Sequence, residues 1–297
     1  MYIQRTQALL HAPFIKPAKR SEMSDSPYAD WIGRSQEREE ELSTLLVRRL
    51  AVTLAEEAPA AGEALPPLWH WMFFQDEVIE PGLGADGHPA RGGFLPPADG
   101  RNRMWAGGRL EFHEPLRVGG VAKRTTTILN VEEKHGRTGS LLFVTLRHEF
   151  VQDGRLAFSE EQDIVYREPS PPKLSSGDAM PVGGWREAVV PSPILLFRYS
   201  ALTFNGHRIH YDWPYVTEAE GYPGLVVHGP LIGTLNLRAF CRANPNARLR
   251  RYAYRGQRPL ISPEPFEVGG RLSGPGKAEV WAGNGAGIAQ RGEVEFD

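Results

Sequence analysis

One cysteine, Cys241, stands in a chain of 297 residues. It can form no intrachain disulfide and no multi-cysteine metal site, and such sparse usage points to a reducing compartment. Cys241 lies in an apolar run with helical spacing, where a free thiol acts as a small buried hydrophobe. Long hydrophobic stretches are missing too: none approaches the ~20 residues that cross a bilayer as a helix. Nor does charge of one sign dominate. Lys plus Arg number 34 and Asp plus Glu 36, a formal charge of −2, so no global field draws the chain to nucleic acid or to an anionic membrane. Neither is expected as a partner, and an anionic ligand must be met by locally placed cations and N–H groups.

What is present is a globular composition, 41% hydrophobic and 24% charged, enough to bury a core without staples. The first 22 residues carry Arg5, Lys16, Lys19 and Arg20 with no acid before Glu22. They resemble a transit peptide only weakly, and Met23 would serve equally as a start. We read residues 1–30 as a disordered extension and the compartment as the cytoplasm, with the mitochondrial matrix as the alternative.

Residues 35–57 read as an amphipathic helix, capped by Ser35 and carrying a stripe of Leu42, Leu45, Leu46, Leu50 and Leu54. Residues 58–108, rich in Pro, Gly and Ala, form a long irregular stretch of the kind that builds binding loops; its His70 and His88 read as solvated loop histidines. Strand candidates follow at 109–117, 122–134, 140–152 and 155–167, with Asp153-Gly154 as a hairpin turn. Pro169 to Gly184 reads as a linker. Beyond it come strand candidates at 195–199, 247–257, 258–268, 271–282 and 286–296, and a helix over Pro230 to Arg242.

One hexapeptide echoes: Pro115-Leu116-Arg117-Val118-Gly119-Gly120 returns as Pro265-Phe266-Glu267-Val268-Gly269-Gly270. With the two strand blocks, it predicts a duplicated unit of α+β class, a double hotdog with two long antiparallel sheets each wrapping a central helix. The repeats fall at 31–170, a degenerate first copy, and 185–297, which carries the site, joined by 171–184.

The chemistry concentrates in residues 203–233, TFNGHRIHYDWPYVTEAEGYPGLVVHGPLIG. Three readings of Asn205, His207, Arg208, His210 and Asp212 compete. A metal site on His207, His210 and Asp212 matches no common zinc spacing. A purely structural turn would have to desolvate many polar groups. In an acid–base site, a histidine near neutral pKa is oriented by amide and carboxylate neighbours. The sequel favours the third. Pro230 suits a first helical turn, and Leu231, Ile232, Leu235, Leu237, Ala239 and Phe240 make a helix apolar on nearly every side, hence buried. Its start at His228 and Gly229 would present unpaired N–H groups to a developing oxyanion.

This stretch resembles the MaoC or hydratase-2 family. His210-Tyr211-Asp212 and His228-Gly229-Pro230-Leu231 match two parts of its signature. The position five residues before the catalytic His, an Asp in the family, is Asn205 here, and His207 and Arg208 stand for its Asn-Pro. The variant is similar to the subgroup of 3-methylfumaryl-CoA (mesaconyl-C4-CoA) and itaconyl-CoA hydratases, and to fungal-type 3-hydroxyacyl-thioester dehydratases. The resemblance implies a hotdog enoyl-CoA hydratase acting on an acyl-CoA thioester, without cofactor or metal, as a homodimer. A thioesterase and a fatty-acid-synthesis dehydratase are the competing activities. His210 is then the principal acid–base group, with His207 as its rival. Asn205 positions water, and Asp212 is an orienter or second acid. His207, Tyr199, Arg208 and Arg198 are candidates for substrate contact, the two arginines for a free carboxylate.

Overall fold

The computed structural model describes residues 27–297 apart from 91, 137, 138, 170, 173 and 175. Most of the expected extension therefore lies outside the described residues. Its last residues do not fit that expectation: Ala29–Trp31 is a 3-10 turn, because Trp31 and Ile32 pack on apolar residues of the first half.

Among the described residues, ten strands make one sheet. They are β1 (Ser35–Glu41), β2 (Asn102–Phe112), β3 (Val121–Gly136), β4 (Gly139–Gln152), β5 (Arg155–Arg167), β6 (Trp185–Val189), β7 (Leu249–Gly256), β8 (Phe266–Gly274), β9 (Lys277–Asn284) and β10 (Gly287–Phe296). Their order is β1-β3-β4-β5-β2-β7-β10-β9-β8-β6, and every described pairing is antiparallel. Reading inward from either edge gives the same succession, first to third to fourth to fifth to second strand of a half. The two halves meet where β2 pairs with β7, Gly107 opposite Arg255 and Gly108 opposite Tyr254. The two expected sheets are thus joined edge to edge. The echoed hexapeptide falls at the entry of β3 and in β8, strands that correspond in the two halves.

Among the described residues, three helices of more than two turns accompany the sheet: α1 (Thr44–Leu54), α2 (Pro193–Leu202) and α3 (Gly229–Ala243). α3 packs against β6, β8 and β9, with Leu231, Leu235, Leu237 and Phe240 at most 2% exposed. This is the central helix anticipated for the second half. In the first half the stretch between α1 and β2 holds, among the described residues, only 3-10 turns, Trp69–Met72 and Glu80–Gly82. Pro66, Pro67, Pro81, Pro89, Pro96 and Pro97 remove donors that a longer helix would need. Cys241 is half-buried on the flank of α3 rather than fully enclosed.

Several boundaries differ from the sequence reading. Residues 35–41 form a strand, not the start of a helix. Their exposure alternates residue by residue, the period of a pleated strand, and this charged segment lies at a sheet edge. The helix begins only after Ser43, with Val47, Leu50, Ala51 and Leu54 inward and Leu45 exposed. Residues 195–199 belong to α2, which Ser192 caps by accepting the Leu195 N–H, with Pro193 at the first position. Residues 258–265 are irregular, and the turn at Gly274-Pro275-Gly276 divides the 271–282 candidate between β8 and β9. The Asp153-Gly154 turn is as expected, both residues having positive φ (51° and 73°). The linker does not run free. Gly177 N–H donates to Ala286 O, and Asp178 O accepts the Ile288 N–H beside β10.

Candidate active site

The loop between α2 and α3 carries the polar cluster into a cavity of about 1230 Å³ lined from both halves. Asn205 Oδ1 accepts the His207 N–H at 3.0 Å, an Asx turn that sharpens the chain. A 3-10 turn at Arg208–His210 follows and brings the His210 ring to the cavity wall.

His210 is buried, and its Nδ1 lies 2.7 Å from the Val226 carbonyl oxygen. A carbonyl only accepts, so Nδ1 carries the proton and Nε2 is left as the basic nitrogen. Burial pushes the imidazole down to about 4, although the Val226 bond favours the charged form. His210 is therefore a neutral base at physiological pH.

His228 stacks on His210 with ring centroids 3.7 Å apart. It is fully buried, and its Nε2 lies 2.8 Å from Ser200 Oγ. Burial, with His210 and His207 beside it, holds its imidazole well below the ordinary range. His228 is the N-cap residue of α3 and backs His210 without itself lining the cavity. Gly229 does line it, and a Cβ added there would meet nothing within 4 Å. First-turn N–H groups have no acceptor within their own helix, so α3 presents a donor beside His210.

His207 stands edge-on to His210 at 5.5 Å and faces the His88 ring at 4.3 Å. Burial, then the charges of His88 and His210, push its imidazole down to about 2. His88 belongs to the irregular region of the first half. Its backbone N–H donates to Asp86 Oδ1 at 3.0 Å, and its Nδ1 is 3.4 Å from Asp86 Oδ2. Burial works to raise the Asp86 carboxyl, but the bonds and charge of His88 outweigh it and hold it below the carboxylate range. The loop is docked by Arg208, whose backbone N–H reaches Asp86 O and whose Nη1 reaches Ala85 O. At Gly87 (φ +87°) a Cβ would overlap the Gly206 carbonyl. Neither His70 nor His88 is a solvated loop residue as expected. His70 is 3% exposed, with Nε2 at 2.8 Å from Glu160 Oε2, and Trp71 Nε1 donates to the same carboxylate.

The structure thus brings Asn205, His207, His210, Gly229 and Tyr199 to one cavity wall. Other anticipated residues lie elsewhere. Asp212 does not orient His210: its carboxylate accepts Arg208 Nε at 2.8 Å and the Tyr215 N–H at 3.1 Å. Arg208 is committed to Asp212, Ala85 and the face of Tyr215 (4.2 Å). Arg198 points from an exposed face of α2. None of the three lines the cavity. Asp86, His88, Ser200 and Glu160 were missed. Only Asp86-Gly87-His88 left a local trace, an acid and a histidine bracketing a turn-forming glycine.

Among the described residues, one group has metal-ligating character, Asp86, His88 and His207, with donor atoms within 4.8 Å of one another. Two of the three, Asp86 and His88, already engage each other.

Residues 68–262 match the family described as hydroxyacyl-thioester dehydratase type 2, a span that holds every residue of this wall. The chain is 45% identical over 257 residues to the mesaconyl-C(4)-CoA hydratase of Chloroflexus aurantiacus, covering 85% of this chain and 91% of that one. It belongs to the hydroxyacyl-thioester dehydratase type 2 family. Membership makes it a hydratase or dehydratase, a hydro-lyase of MaoC-like kind. The fold agrees: HtdX of Mycobacterium tuberculosis superposes with a TM-score of 0.64 at 18% identity, over 89% of this chain and 100% of that one. A double-hotdog protein of the same organism gives 0.52 at 14% identity, over 90% and 96%. The ten-stranded sheet of this dehydratase-family chain is accordingly a double hotdog.

Proposed function

We propose that the chain adds water reversibly across the 2,3-double bond of a short branched dicarboxylyl-CoA thioester, of the 3-methylfumaryl-CoA or itaconyl-CoA kind. The observation that carries this reading is the His210 ring. Its Nδ1 is fixed by the Val226 carbonyl and its Nε2 is left basic, beside the open helix start at Gly229. The likeness to a mesaconyl-C(4)-CoA hydratase supports the substrate class.

In the hydration direction, His210 Nε2 takes a proton from water as its oxygen bonds to C3. The electron pair of the double bond moves through C2 to the thioester oxygen, where the Gly229 N–H stabilises the enolate. The enolate collapses as C2 takes the proton back from His210. Asn205, whose side-chain oxygen is held by the His207 N–H, keeps its amide NH₂ for the attacking water. The thioester conjugation supplies the electrophile, so this chemistry calls for no cofactor. Dehydration is the same path reversed. The duplicated arrangement supports repeats at 31–170 and 185–297, with one site per chain in the second. A homodimer is part of this proposal.

The test follows loss of enoyl-thioester absorbance with 3-methylfumaryl-, itaconyl-, mesaconyl- and crotonyl-CoA, together with release of free thiol. We expect water addition without thiol release. His210→Ala should lose about 10²–10⁴-fold in kcat, and Asn205→Ala should lose activity too. Full turnover in both variants would overturn the site assignment, and thiol release would make the enzyme a thioesterase instead.

A further inference from the structure

A dicarboxylyl thioester brings a carboxylate into the cavity, and the wall around His210 has little to receive it. His207, His210 and His228 are each held neutral by burial, so none supplies positive charge at neutral pH. An unpaired carboxylate moved from water into such a wall is strongly disfavoured. The acids of the wall are already engaged: Asp86 by His88, and Glu220 by Asn102 Nδ2 and Tyr215 Oη.

Of the cavity's arginines, Arg38 pairs with Asp76 at 3.0 Å. Arg258 is tied to Pro259, Asn284 and Gly287. Arg124 lies among Asp76, Glu160 and Glu40, whose charges offset its own. Arg255 is exposed. Arg103 differs from all of these. It sits on β2, opposite Tyr166 of β5, where the ladder fixes its backbone. It lines the cavity half-buried, and its charge acts on His207. Among the described residues, none accepts a hydrogen bond from its guanidinium or pairs with it.

We propose that Arg103 receives the free carboxylate of the acyl group and so sets the preference for dicarboxylyl over simple enoyl thioesters. This rests on the hydratase reading above. A planar guanidinium fits a carboxylate with two parallel hydrogen bonds, and a rigid strand suits it to fix the substrate's carbon skeleton against His210. CoA phosphates are the other anions Arg103 could meet, and every CoA ester carries them, so comparing acyl groups separates the two sources.

The experiment compares wild type with Arg103→Met, Arg103→Gln and Arg103→Lys on two substrates, 3-methylfumaryl-CoA and crotonyl-CoA. Binding of the unreactive succinyl-CoA and butyryl-CoA is measured alongside by calorimetry. We expect Arg103→Met and Arg103→Gln to lose roughly 100-fold in kcat/KM for 3-methylfumaryl-CoA and in affinity for succinyl-CoA. Crotonyl-CoA turnover and butyryl-CoA affinity should change by less than about threefold, which also shows that the variants fold. Arg103→Lys should recover part of the loss. Equal losses on both acyl classes would assign Arg103 to the CoA phosphates, and unchanged preference in both neutral variants would leave it no role; either overturns the proposal. If wild type hydrates no enoyl thioester, the hydratase reading falls, while the succinyl-CoA against butyryl-CoA comparison still decides Arg103.

Discussion

His210 works because of the atoms around it. The Val226 carbonyl fixes its tautomer at 2.7 Å, and His228 stacked at 3.7 Å fixes its plane. A base acts only when unprotonated, and burial holds this one at about 4 rather than 6.5. The acid limb of kcat/KM should therefore fall as pH drops through about 4, with a flat profile from there to neutrality. A limb near 6.5 in a pH–rate series would contradict it. The same burial has a consequence for stability. Below pH 6.5 the unfolded chain protonates its histidines, while half-buried His207 and buried His210, His228 and His148 stay neutral. The unfolded state then binds more protons, so stability is lost as pH falls from about 6.5 towards 4. Urea midpoints should decline across that window, and less steeply in His210→Gln.

Two elements converge on that ring. α3 supplies the donor at its first turn, and Gly229 keeps the approach open. Ala at position 229 would place its Cβ in empty cavity space and would not weaken the helix. Gly229→Ala should leave the melting temperature within about 2 °C while reducing kcat by roughly 10- to 100-fold, as displaced substrate loses alignment. Equal loss of stability and activity would mean the glycine is structural. The second element is the first-half loop holding Asp86 and His88. It docks where Gly87 and Gly206 pass backbone to backbone, and it brings a carboxylate to the histidine cluster through His88, where position 205 offers only an amide.

At the scale of the molecule, the halves share one sheet and one cavity. Their seam depends on close backbone approach: a Cβ at Gly107 would overlap the Tyr254 carbonyl. Away from the seam, Arg238 and Arg242 of α3 bind Glu56, just beyond α1, and Glu187 of β6, tying the halves again. Gly107→Val should cost about 3 kcal/mol or more by forcing β2 from β7. Wild type should unfold in a single calorimetric transition, and the variant in a broadened or split one. An unchanged single transition in Gly107→Val would show that the seam bears little of the stability.

The sequence by itself determined the antiparallel strand blocks, the buried central helix and its open first turn, and the histidine placed by the loop before it. Periodicity, turn glycines and a first-turn proline act within a few residues, so they can be read along the chain. Local pattern misled where two periods overlap: charges at 35–41 suit an exposed helix face as well as a strand edge. Only the tertiary structure decided that Asp86, His88 and Arg103 come from the first half to a site in the second. Those meetings depend on pairing between residues more than 100 positions apart, fixed by the β2–β7 seam and the loop docked on Gly206, and no local spacing encodes them.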